Sequence, residues 1–328
     1  MIIIPEMNII LAITFLAGGL LILWKAADLL VSGAVKLAER LGISPLIIGL
    51  TVVAMGTSAP EVAASIAAAI RGQGDVAIGN VYGSNIANLA LVGGLAALIR
   101  PLSIKKQTLR YQIPVMLLAA LLLWPVLHNL DLSQTEGIGL LAVFAALILL
   151  TVFMARREEH RDIRAQEQKD TQTTADTKKS VLFIVIGLAG LALGADITVR
   201  GAVFLGDRIG VSKAVIGLTI IAIGTSLPEL ATCVVAAVKG QHDISIGNLV
   251  GSNVFNTLLV VGTAGVVRPF TIAPRLIAAD YWIMIAVSAG FASLAIVGRR
   301  VIGRLAATLL LCGYAGYMLY VLVFTAGV

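Results

Sequence analysis

"GTSAPEVAASIAAAIRGQGDVAIGNVYGSNIAN" occupies residues 56–88, and "GTSLPELATCVVAAVKGQHDISIGNLVGSNVFN" occupies residues 224–256. Both strings belong to a longer match, in which residues 44–101 align without a gap on residues 212–269 and 30 of 58 positions are identical. The chain therefore contains an internal duplication, and these two segments are called the repeats below.

The chain is strongly apolar. Of its 328 residues, 59% are hydrophobic and 13% are charged, and its mean hydropathy is +0.98. Apolar runs of about 18 or more residues, each long enough to cross a bilayer as a helix, recur along the whole sequence. We therefore predict an all-α integral membrane protein with about ten transmembrane helices. The predicted spans are 8–35, 44–70, 75–98, 108–127, 135–155, 180–206, 212–238, 243–266, 277–297 and 304–325.

The positive charge of the chain is distributed unevenly between the two sides of the membrane. Of 24 Lys and Arg residues, Lys25 and Arg200 lie well inside predicted spans. When residues at span ends are counted with the adjoining segment, five of the others lie on one side of the membrane and seventeen on the other. Cytoplasmic loops carry the excess of basic residues, so this distribution predicts extracytoplasmic N- and C-termini. It also explains the net charge of +6 better than a nucleic-acid partner does.

The predicted spans divide into two halves of five. Residues 1–155 form the first half, residues 156–179 form a charged cytoplasmic linker, and residues 180–328 form the second half. Because five is an odd number, the second half enters the membrane in the opposite orientation. The sequence thus predicts an inverted-topology repeat, an arrangement that exposes one central site alternately to either side of a membrane.

Each repeat interrupts its first span near the middle. Pro60 has no backbone N–H, so the carbonyl of Gly56 loses its helical partner and the helix breaks. Freed carbonyls are tolerated at membrane depth only where they line a cavity or find another partner. Gly224 and Pro228 occupy the matching positions of the second repeat. We therefore predict broken helices in spans 2 and 7.

Glu61 and Glu229 follow these breaks directly. An ionisable side chain in the middle of a span costs at least about 2.5–3.5 kcal/mol on insertion scales, which makes a matched pair a candidate functional site. A pair of protonated, hydrogen-bonded glutamates that only brace the helices is the alternative. The placement of the repeat identities on polar residues favours a cation site over it.

The second span of each repeat carries a stripe of polar residues. Asn80, Ser84 and Asn88 are spaced four residues apart, so they share one face of a helix. Interhelical hydrogen bonding is one interpretation of such residues, and oxygen ligands of a cation are the other. We predict that four of them are ligands: Ser84, Asn88, Ser252 and Asn256. Four others are predicted to anchor the fold: Asn80, Asn85, Asn248 and Asn253.

The predicted ligands are all oxygen donors. Carboxylates, amide and hydroxyl oxygens and freed carbonyls suit hard cations such as Ca²⁺ or Na⁺, and neither imidazole nor thiolate is among them. Two carboxylates balance one divalent charge. Removal of the ion leaves two like charges facing each other, so monovalent cations or protons must replace it. This chemistry predicts exchange rather than simple release.

The motifs GTSAPE with GNVYGSNIAN and GTSLPE with GNLVGSNVFN resemble the paired α-repeats of the Ca²⁺/cation antiporter superfamily, in particular its prokaryotic sodium/calcium exchangers. The resemblance implies that Glu61 and Glu229 bind the ions at the centre. It implies further oxygen ligands from hydroxyl groups and from two backbone carbonyls. The hydroxyl residues are Thr57, Ser58, Thr225, Ser226, Ser84 and Ser252, and the carbonyls are those of Ala54 and Ala222.

The resemblance also implies that the first and sixth spans slide against the rest of the molecule. We expect no resident cofactor, no nucleic-acid partner and no obligate protein partner. An intramembrane enzyme lacks support, because no His/Asp pair or HExxH pattern lies inside a predicted span. The chain departs from several family members at Asn88 and Asn256, where an aspartate stands in one of their repeats. This departure argues against the potassium-dependent subclass.

Three functions remain open from the sequence. Exchange of Ca²⁺ for Na⁺ across a prokaryotic plasma (inner) membrane is the leading hypothesis, Ca²⁺/H⁺ exchange is its nearest rival, and a cation channel is less favoured. Two further acidic pairs are predicted to be structural. Asp28 and Asp196 are expected to cap helices or to pair with Lys25 or Arg200, and Asp75 and Asp243 are expected to lie at helix starts.

Overall fold

A computed structural model describes residues 8–163, 174–210 and 222–325 of the chain. Within these ranges, eight helical segments are long and apolar enough to cross a membrane. A ninth is obtained when the bent pair Pro45–Thr57 and Ala59–Ile70 counts as one span. The predicted all-α membrane fold is confirmed.

The helices of the first half reproduce the predicted spans 1 to 5. They are α1 (Ile9–Arg40), α2 (Pro45–Ile48), α3 (Ala54–Thr57), α4 (Ala59–Ile70), α5 (Gly74–Ile86), α6 (Gly93–Ile99), α7 (Ile113–Leu127) and α8 (Gln134–Ile163). Segments of π-helix, at Gly49–Val53, Ala87–Val92 and Thr108–Gln112, join several of these helices into longer spans.

The second half repeats this order where it is described. Its helices are α9 (Thr174–Arg208), α10 (Ala222–Thr225), α11 (Leu227–Val238), α12 (His242–Phe255), α13 (Val261–Val267), α14 (Tyr281–Val297) and α15 (Arg304–Thr325). Its π-helical segments are Asn256–Val260 and Leu276–Asp280. The predicted span 212–238 falls partly outside the described residues. Helices α8 and α9 extend into the predicted linker. Residues 164–173 of that linker also lie outside the described residues.

Contacts between the two halves occur in matched pairs. Strand β1 (Leu102–Ser103) pairs antiparallel with β4 (Val301–Ile302), and β2 (Asp131–Leu132) pairs antiparallel with β3 (Phe270–Thr271). Each of these two-stranded sheets therefore takes one strand from each half. The halves are tied together in the same way on both sides of the bundle.

Two arginines at matching positions also join the two halves. Arg100 donates a hydrogen bond from Nη1 to the carbonyl oxygen of Val238, at the end of α11, over 3.0 Å. Arg268 donates in the same way to the carbonyl of Ile70, at the end of α4, over 2.7 Å. Cations near the last carbonyls of a helix stabilise its C-terminus, so each half caps a broken helix of the other.

Helices α1 and α9 lie against each other along most of their lengths. A Cβ atom on Gly19 would lie 2.7 Å from the backbone nitrogen of Thr198 and 2.9 Å from the carbonyl oxygen of Gly194. One on Gly187 would lie 2.8 Å from the backbone nitrogen of Leu30. Small residues let helices in a membrane approach this closely, and this pair corresponds to the predicted first and sixth spans.

The acidic residues outside the repeat centre are only partly as predicted. Asp196 pairs with Arg200, with 2.7 Å between Oδ2 and Nε, as expected. Asp28 pairs with Lys239 of the other half at 2.6 Å rather than with Lys25, so that prediction was wrong. Sequence proximity suggested Lys25, but the fold brings the end of α11 beside α1.

Asp75 and Asp243 lie in the first turns of α5 and α12, at the helix starts as predicted, and both also contact the opposite half. The backbone nitrogen of Ala273 donates to Asp75 Oδ1 over 2.6 Å. Lys105 Nζ lies 2.6 Å from Asp243 Oδ2. Lys105 and Ala273 are matching positions in the two halves.

The close contact between α1 and α9 predicts a difference between two neighbouring glycines. Replacement of Gly19 by Leu forces the helices apart and should cost about 1–3 kcal/mol, a typical cost of overpacking. The same replacement at Gly18 should cost far less, because no described atom lies within 4 Å of the place that its Cβ would take. Both changes raise helix propensity equally, so thermal unfolding of the two purified variants isolates the contact. Equal melting temperatures would contradict it.

Candidate cation site

The two broken helices bring their acidic residues into the interior of the bundle. Helix α3 ends at Thr57 and α4 begins at Ala59, with a bend of 43° between the two segments of the span. Glu61 therefore lies in the first turn of α4, and Glu229 lies in the first turn of α11. Both side chains are fully buried. The site thus places two carboxylates at helix N-termini, where the helix dipole favours negative charge.

Serine hydroxyls connect each carboxylate to the opposite half of the molecule. Ser58 Oγ donates to Glu229 Oε1 over 3.1 Å, and Ser226 Oγ lies 3.5 Å from Glu61 Oε1. Ser58 immediately precedes α4, which carries Glu61, and Ser226 immediately precedes α11, which carries Glu229. Each serine therefore bonds the glutamate of the opposite half. The two acidic side chains therefore belong to one cluster at the interface of the two halves.

Residues of the next span complete this cluster. Ser84 Oγ donates a hydrogen bond to Glu61 Oε1 over 3.4 Å. Ser252 occupies the matching position of α12 and is fully buried. Three of the predicted hydroxyl ligands, Ser58, Ser226 and Ser84, thus contact the glutamates.

Several buried polar atoms of the glutamates and of the predicted ligands have no hydrogen-bond partner among the described residues. They are Glu61 Oε2, Glu229 Oε2, Ser252 Oγ, and the amide oxygen and nitrogen of both Asn88 and Asn256. Buried polar groups normally have partners, so orphaned oxygens on matching residues of both halves require an explanation. A cation coordinated by these oxygens supplies one.

Asn88 and Asn256 lie where their helices change geometry. Asn88 belongs to the π-helical segment Ala87–Val92, and Asn256 begins the segment Asn256–Val260. π-Helical turns inside α-helices are frequent at functional sites because they shift side chains and carbonyls out of the regular pattern. The same distortion occurs at matching positions in both halves, next to the orphaned amides.

The remaining predicted ligands have other contacts. Thr57 Oγ1 donates to Asn248 Oδ1 over 3.0 Å and lies 3.3 Å from the carbonyl oxygen of Ala54. That carbonyl also accepts from Ser58 N over 3.0 Å. Thr225 is half-buried at the end of α10, and Ala222 begins the same helix. Because the hydroxyl of Thr57 has one proton, which Asn248 accepts, the carbonyl of Ala54 accepts one hydrogen bond, from Ser58 N, and keeps a second lone pair.

The four predicted anchor asparagines are hydrogen-bonded to the fold. Asn80 Nδ2 donates to the carbonyl of Glu61 over 3.3 Å and to Ser65 Oγ over 3.0 Å. Asn248 Nδ2 lies 3.3 Å from Cys233 Sγ, at the matching place. These contacts hold α5 and α12 against the helices that carry the glutamates.

The other two anchors use a different set of partners. Asn85 Nδ2 donates to Thr257 Oγ1 over 3.1 Å, and Asn253 Nδ2 donates to the carbonyl of Leu249 over 2.8 Å. The first of these bonds crosses between the halves and the second stays within one helix. This pair of positions therefore departs from the symmetry of the repeats.

One buried acid was not predicted from the sequence. Asp280 lies inside the predicted span 277–297 with its Oδ2 atom 3.0 Å from Arg275 Nε, and its Oδ1 atom has no hydrogen-bond partner. A carboxylate within an apolar span was the signal that marked it. Its ion pair at the end of that span favours a structural role.

The chemistry of the cluster limits the ions that fit it. No group of three or more His, Cys, Asp or Glu side chains that suits a metal ion occurs among residues 8–163, 174–210 and 222–325. The two carboxylates must therefore be supplemented by neutral hydroxyl, amide and carbonyl oxygens. Such a set suits hard cations and disfavours transition metals.

Comparison with known proteins identifies the family. The model of the family described as "Sodium/calcium exchanger protein" matches residues 11–153 and 179–323. The putative antiporter CaxA of Alkalimonas amylolytica is 38% identical over 311 residues, which is 94% of this chain and 98% of that protein. The inner membrane protein YrbG of Escherichia coli is 40% identical over 289 residues, covering 87% and 89% of the two chains.

An archaeal relative and a solved structure agree with this result. The sodium/calcium exchanger MaX1 of Methanosarcina acetivorans is 33% identical over 304 residues, covering 82% of this chain and 87% of that protein. The structure of the sodium-calcium exchanger NCX_Mj superimposes with a TM-score of 0.80 at 28% identity and covers 94% of this chain and 98% of its own. This chain therefore belongs to the sodium/calcium exchanger family, as a cation antiporter of the Ca²⁺/cation antiporter superfamily.

Proposed function

We propose that the protein exchanges Ca²⁺ for Na⁺ by alternating access. The observation that carries this proposal is the pair of buried carboxylates, Glu61 and Glu229, whose Oε2 atoms have no hydrogen-bond partner while their Oε1 atoms accept from serines. One divalent cation between two carboxylates gives a neutral site. The neighbouring hydroxyl and amide oxygens then supply the six to eight ligands that Ca²⁺ prefers.

Exchange follows from the cost of an empty site. Without a cation, two carboxylates share an environment from which water is largely excluded, and their repulsion is weakly screened there. A change of orientation with both charges uncompensated is therefore unfavourable. Na⁺ ions that occupy the same oxygens restore neutrality and allow the return step.

Relatives support the choice of ions. MaX1 is named a sodium/calcium exchanger, and NCX_Mj has been studied after soaking with Na⁺ together with Ca²⁺ or Sr²⁺. We extend Na⁺ and Ca²⁺ to this chain as its transported ions because its hard oxygen donors suit both. The ligands proposed to join the two glutamates are Thr57, Ser58, Thr225, Ser226, Ser84, Ser252, Asn88, Asn256, Ala54 and Ala222.

The membrane setting follows the same reasoning. YrbG is an inner membrane protein, and the distribution of Lys and Arg favours a cytoplasmic position for residues 156–179. We therefore propose the inner membrane of a prokaryote, with both termini on the extracytoplasmic side. The matched contacts of Arg100 and Arg268 support residues 1–155 and 180–328 as two halves of inverted orientation.

The counter-ion is tested by flux into sealed vesicles that contain the purified protein. An outward Na⁺ gradient should drive uptake of Ca²⁺, and an imposed pH gradient without Na⁺ should not. Protonation of the same carboxylates also neutralises the empty site, so uptake driven by the pH gradient alone would establish Ca²⁺/H⁺ exchange instead. Uptake of Ca²⁺ down its own electrochemical gradient, without any counter-ion gradient, would indicate a channel.

The central ligands are tested by Glu61→Gln and Glu229→Gln. Each change keeps the shape of the side chain and removes one of the two charges that balance Ca²⁺, so each should lower exchange at least about tenfold, equivalent to about 1.4 kcal/mol. Glu39→Gln, at an exposed position of α1, is the matched control and should exchange normally. Size-exclusion profiles establish that the variants fold. A correctly folded Glu61→Gln or Glu229→Gln variant with wild-type exchange would contradict the assignment.

A further inference from the structure

The two halves of the molecule match each other in the core, by which we mean all helices except α1 and α9. They do not match along α1 and α9. The contacts of Arg100 and Arg268 and those of Ser58 and Ser226 are present in both halves. The contacts that α1 and α9 make with the core differ. An inverted repeat that changes orientation must exchange the two environments of this helix pair, so these differences describe one of two states.

Helix α1 packs directly along α11. Leu30 and Ala34 of α1 share a buried apolar cluster with Val235 and Ala236 of α11, and Ala231 packs against the same cluster. This contact closes the end of the bundle that is predicted to face the cytoplasm.

The matching contact, between α9 and α4, is replaced by a cavity of about 650 Å³. Its lining includes Ala59, Pro60 and Ala63 of α4, together with Leu188 and Asp196 of α9. Gly56 and Gly224 also line it, so the cavity reaches both helix breaks. Ala63 is exposed where its counterpart Ala231 is packed. As far as residues 8–163, 174–210 and 222–325 show, the molecule is therefore open on the side that is predicted to face outward.

Charged side chains follow the same division. On the closed side, Lys239 Nζ lies 2.6 Å from Asp28 Oδ1 and donates to Ser32 Oγ over 2.8 Å. This contact, called the inner ion pair, joins the end of α11 to α1. The counterparts of Asp28 and Lys239 in the other half are Asp196 and Arg71.

On the open side, the matching ion pair is not formed. Asp196 binds Arg200 of its own helix instead, and Arg71 directly follows the last residue of α4. Arg200 occupies the position of α9 that matches Ser32 of α1. Helix α9 therefore supplies its own partner for Asp196 while the cavity is open. Both members of the missing pair have the charges that a contact requires.

We propose that two ion pairs form alternately during the transport cycle. One is the inner ion pair, Asp28–Lys239, and the other is Asp196–Arg71, called the outer ion pair. Each of them holds one end of the bundle closed. The inner ion pair stabilises the state described here. The outer ion pair replaces it when α1 and α9 slide so that α9 packs on α4. The proposal rests on alternating access and is independent of which ions are carried. These four residues are positioning residues, because none touches the proposed cation.

Hydrogen–deuterium exchange of the full-length protein in lipid nanodiscs tests the proposal. Lys239→Gln removes the inner ion pair and leaves both members of the outer one in place, so residues 227–239 should exchange faster and residues 59–71 more slowly than in the wild type. Arg71→Gln removes only the outer ion pair and should shift the same two segments in the opposite directions. A partly exposed ion pair changes the ratio of two states by up to about fivefold, which sets the expected size of both shifts.

Lys105→Gln is the matched control. It removes one basic charge and one partly exposed ion pair, that of Lys105 Nζ with Asp243 Oδ2 at 2.6 Å, which involves neither α1 nor α9. Neither segment should change in this variant. Shifts of the same sign in Lys239→Gln and Arg71→Gln, no shift in either, or an equal shift in Lys105→Gln would overturn the proposal.

A charge exchange separates a switching role from a merely structural one. The double variant Asp28→Lys with Lys239→Asp rebuilds the inner ion pair with reversed polarity, so it should return both segments to wild-type exchange rates. Failure of this rescue in a folded protein would count against the proposal. Calcium flux is measured on the same variants. If exchange shifts in opposite directions in Lys239→Gln and Arg71→Gln but the wild type shows no Na⁺-driven Ca²⁺ flux, the alternating ion pairs stand and the proposed cargo is rejected.

Discussion

The structure depends on one electrostatic constraint, which is that two carboxylates share a buried cluster between two halves of the molecule. Glu61 and Glu229 are fully buried, and the hydroxyls of Ser58 and Ser226 reach from each half to the glutamate of the other. Repulsion between two such charges is strong where water is scarce. A cation bound among the unpartnered oxygens, as proposed above, would relieve it.

The duplication explains how such a site is built. A single break would expose one carboxylate and its freed carbonyls at membrane depth, whereas two inverted copies place complementary breaks against each other. The core of the bundle keeps this symmetry, as the paired strands and the matched arginines show. Helices α1 and α9 do not keep it, because one of them is packed on the core where the other borders a cavity.

Much of the fold could be predicted because its signals are local. Apolar length indicated the spans, Pro60 marked the break that the structure bends by 43°, and the repeat spacing matched the two halves. The family assignment, which the comparisons confirm, rested on the same motifs. The roles of the individual ligands stay predictions.

Other features could not be predicted, because they depend on packing between distant segments. The pairing of Asp28 with Lys239 joins residues more than 200 positions apart, and the bond from Ser58 to Glu229 crosses between the halves. The π-helical segment at Ala87–Val92 has no distinctive composition. Asp280 was visible as a carboxylate in an apolar span, but only the structure revealed its partner, Arg275.

The central claim is that one divalent cation binds between the two glutamates. Anomalous diffraction from crystals soaked in Sr²⁺, a heavier analogue of Ca²⁺, measures the position of the ion directly. The account predicts a peak within coordination distance of the carboxylate oxygens of both Glu61 and Glu229, and loss of that peak after soaking in excess Na⁺. A peak elsewhere in the molecule, or one that touches only one of the two carboxylates, would contradict it.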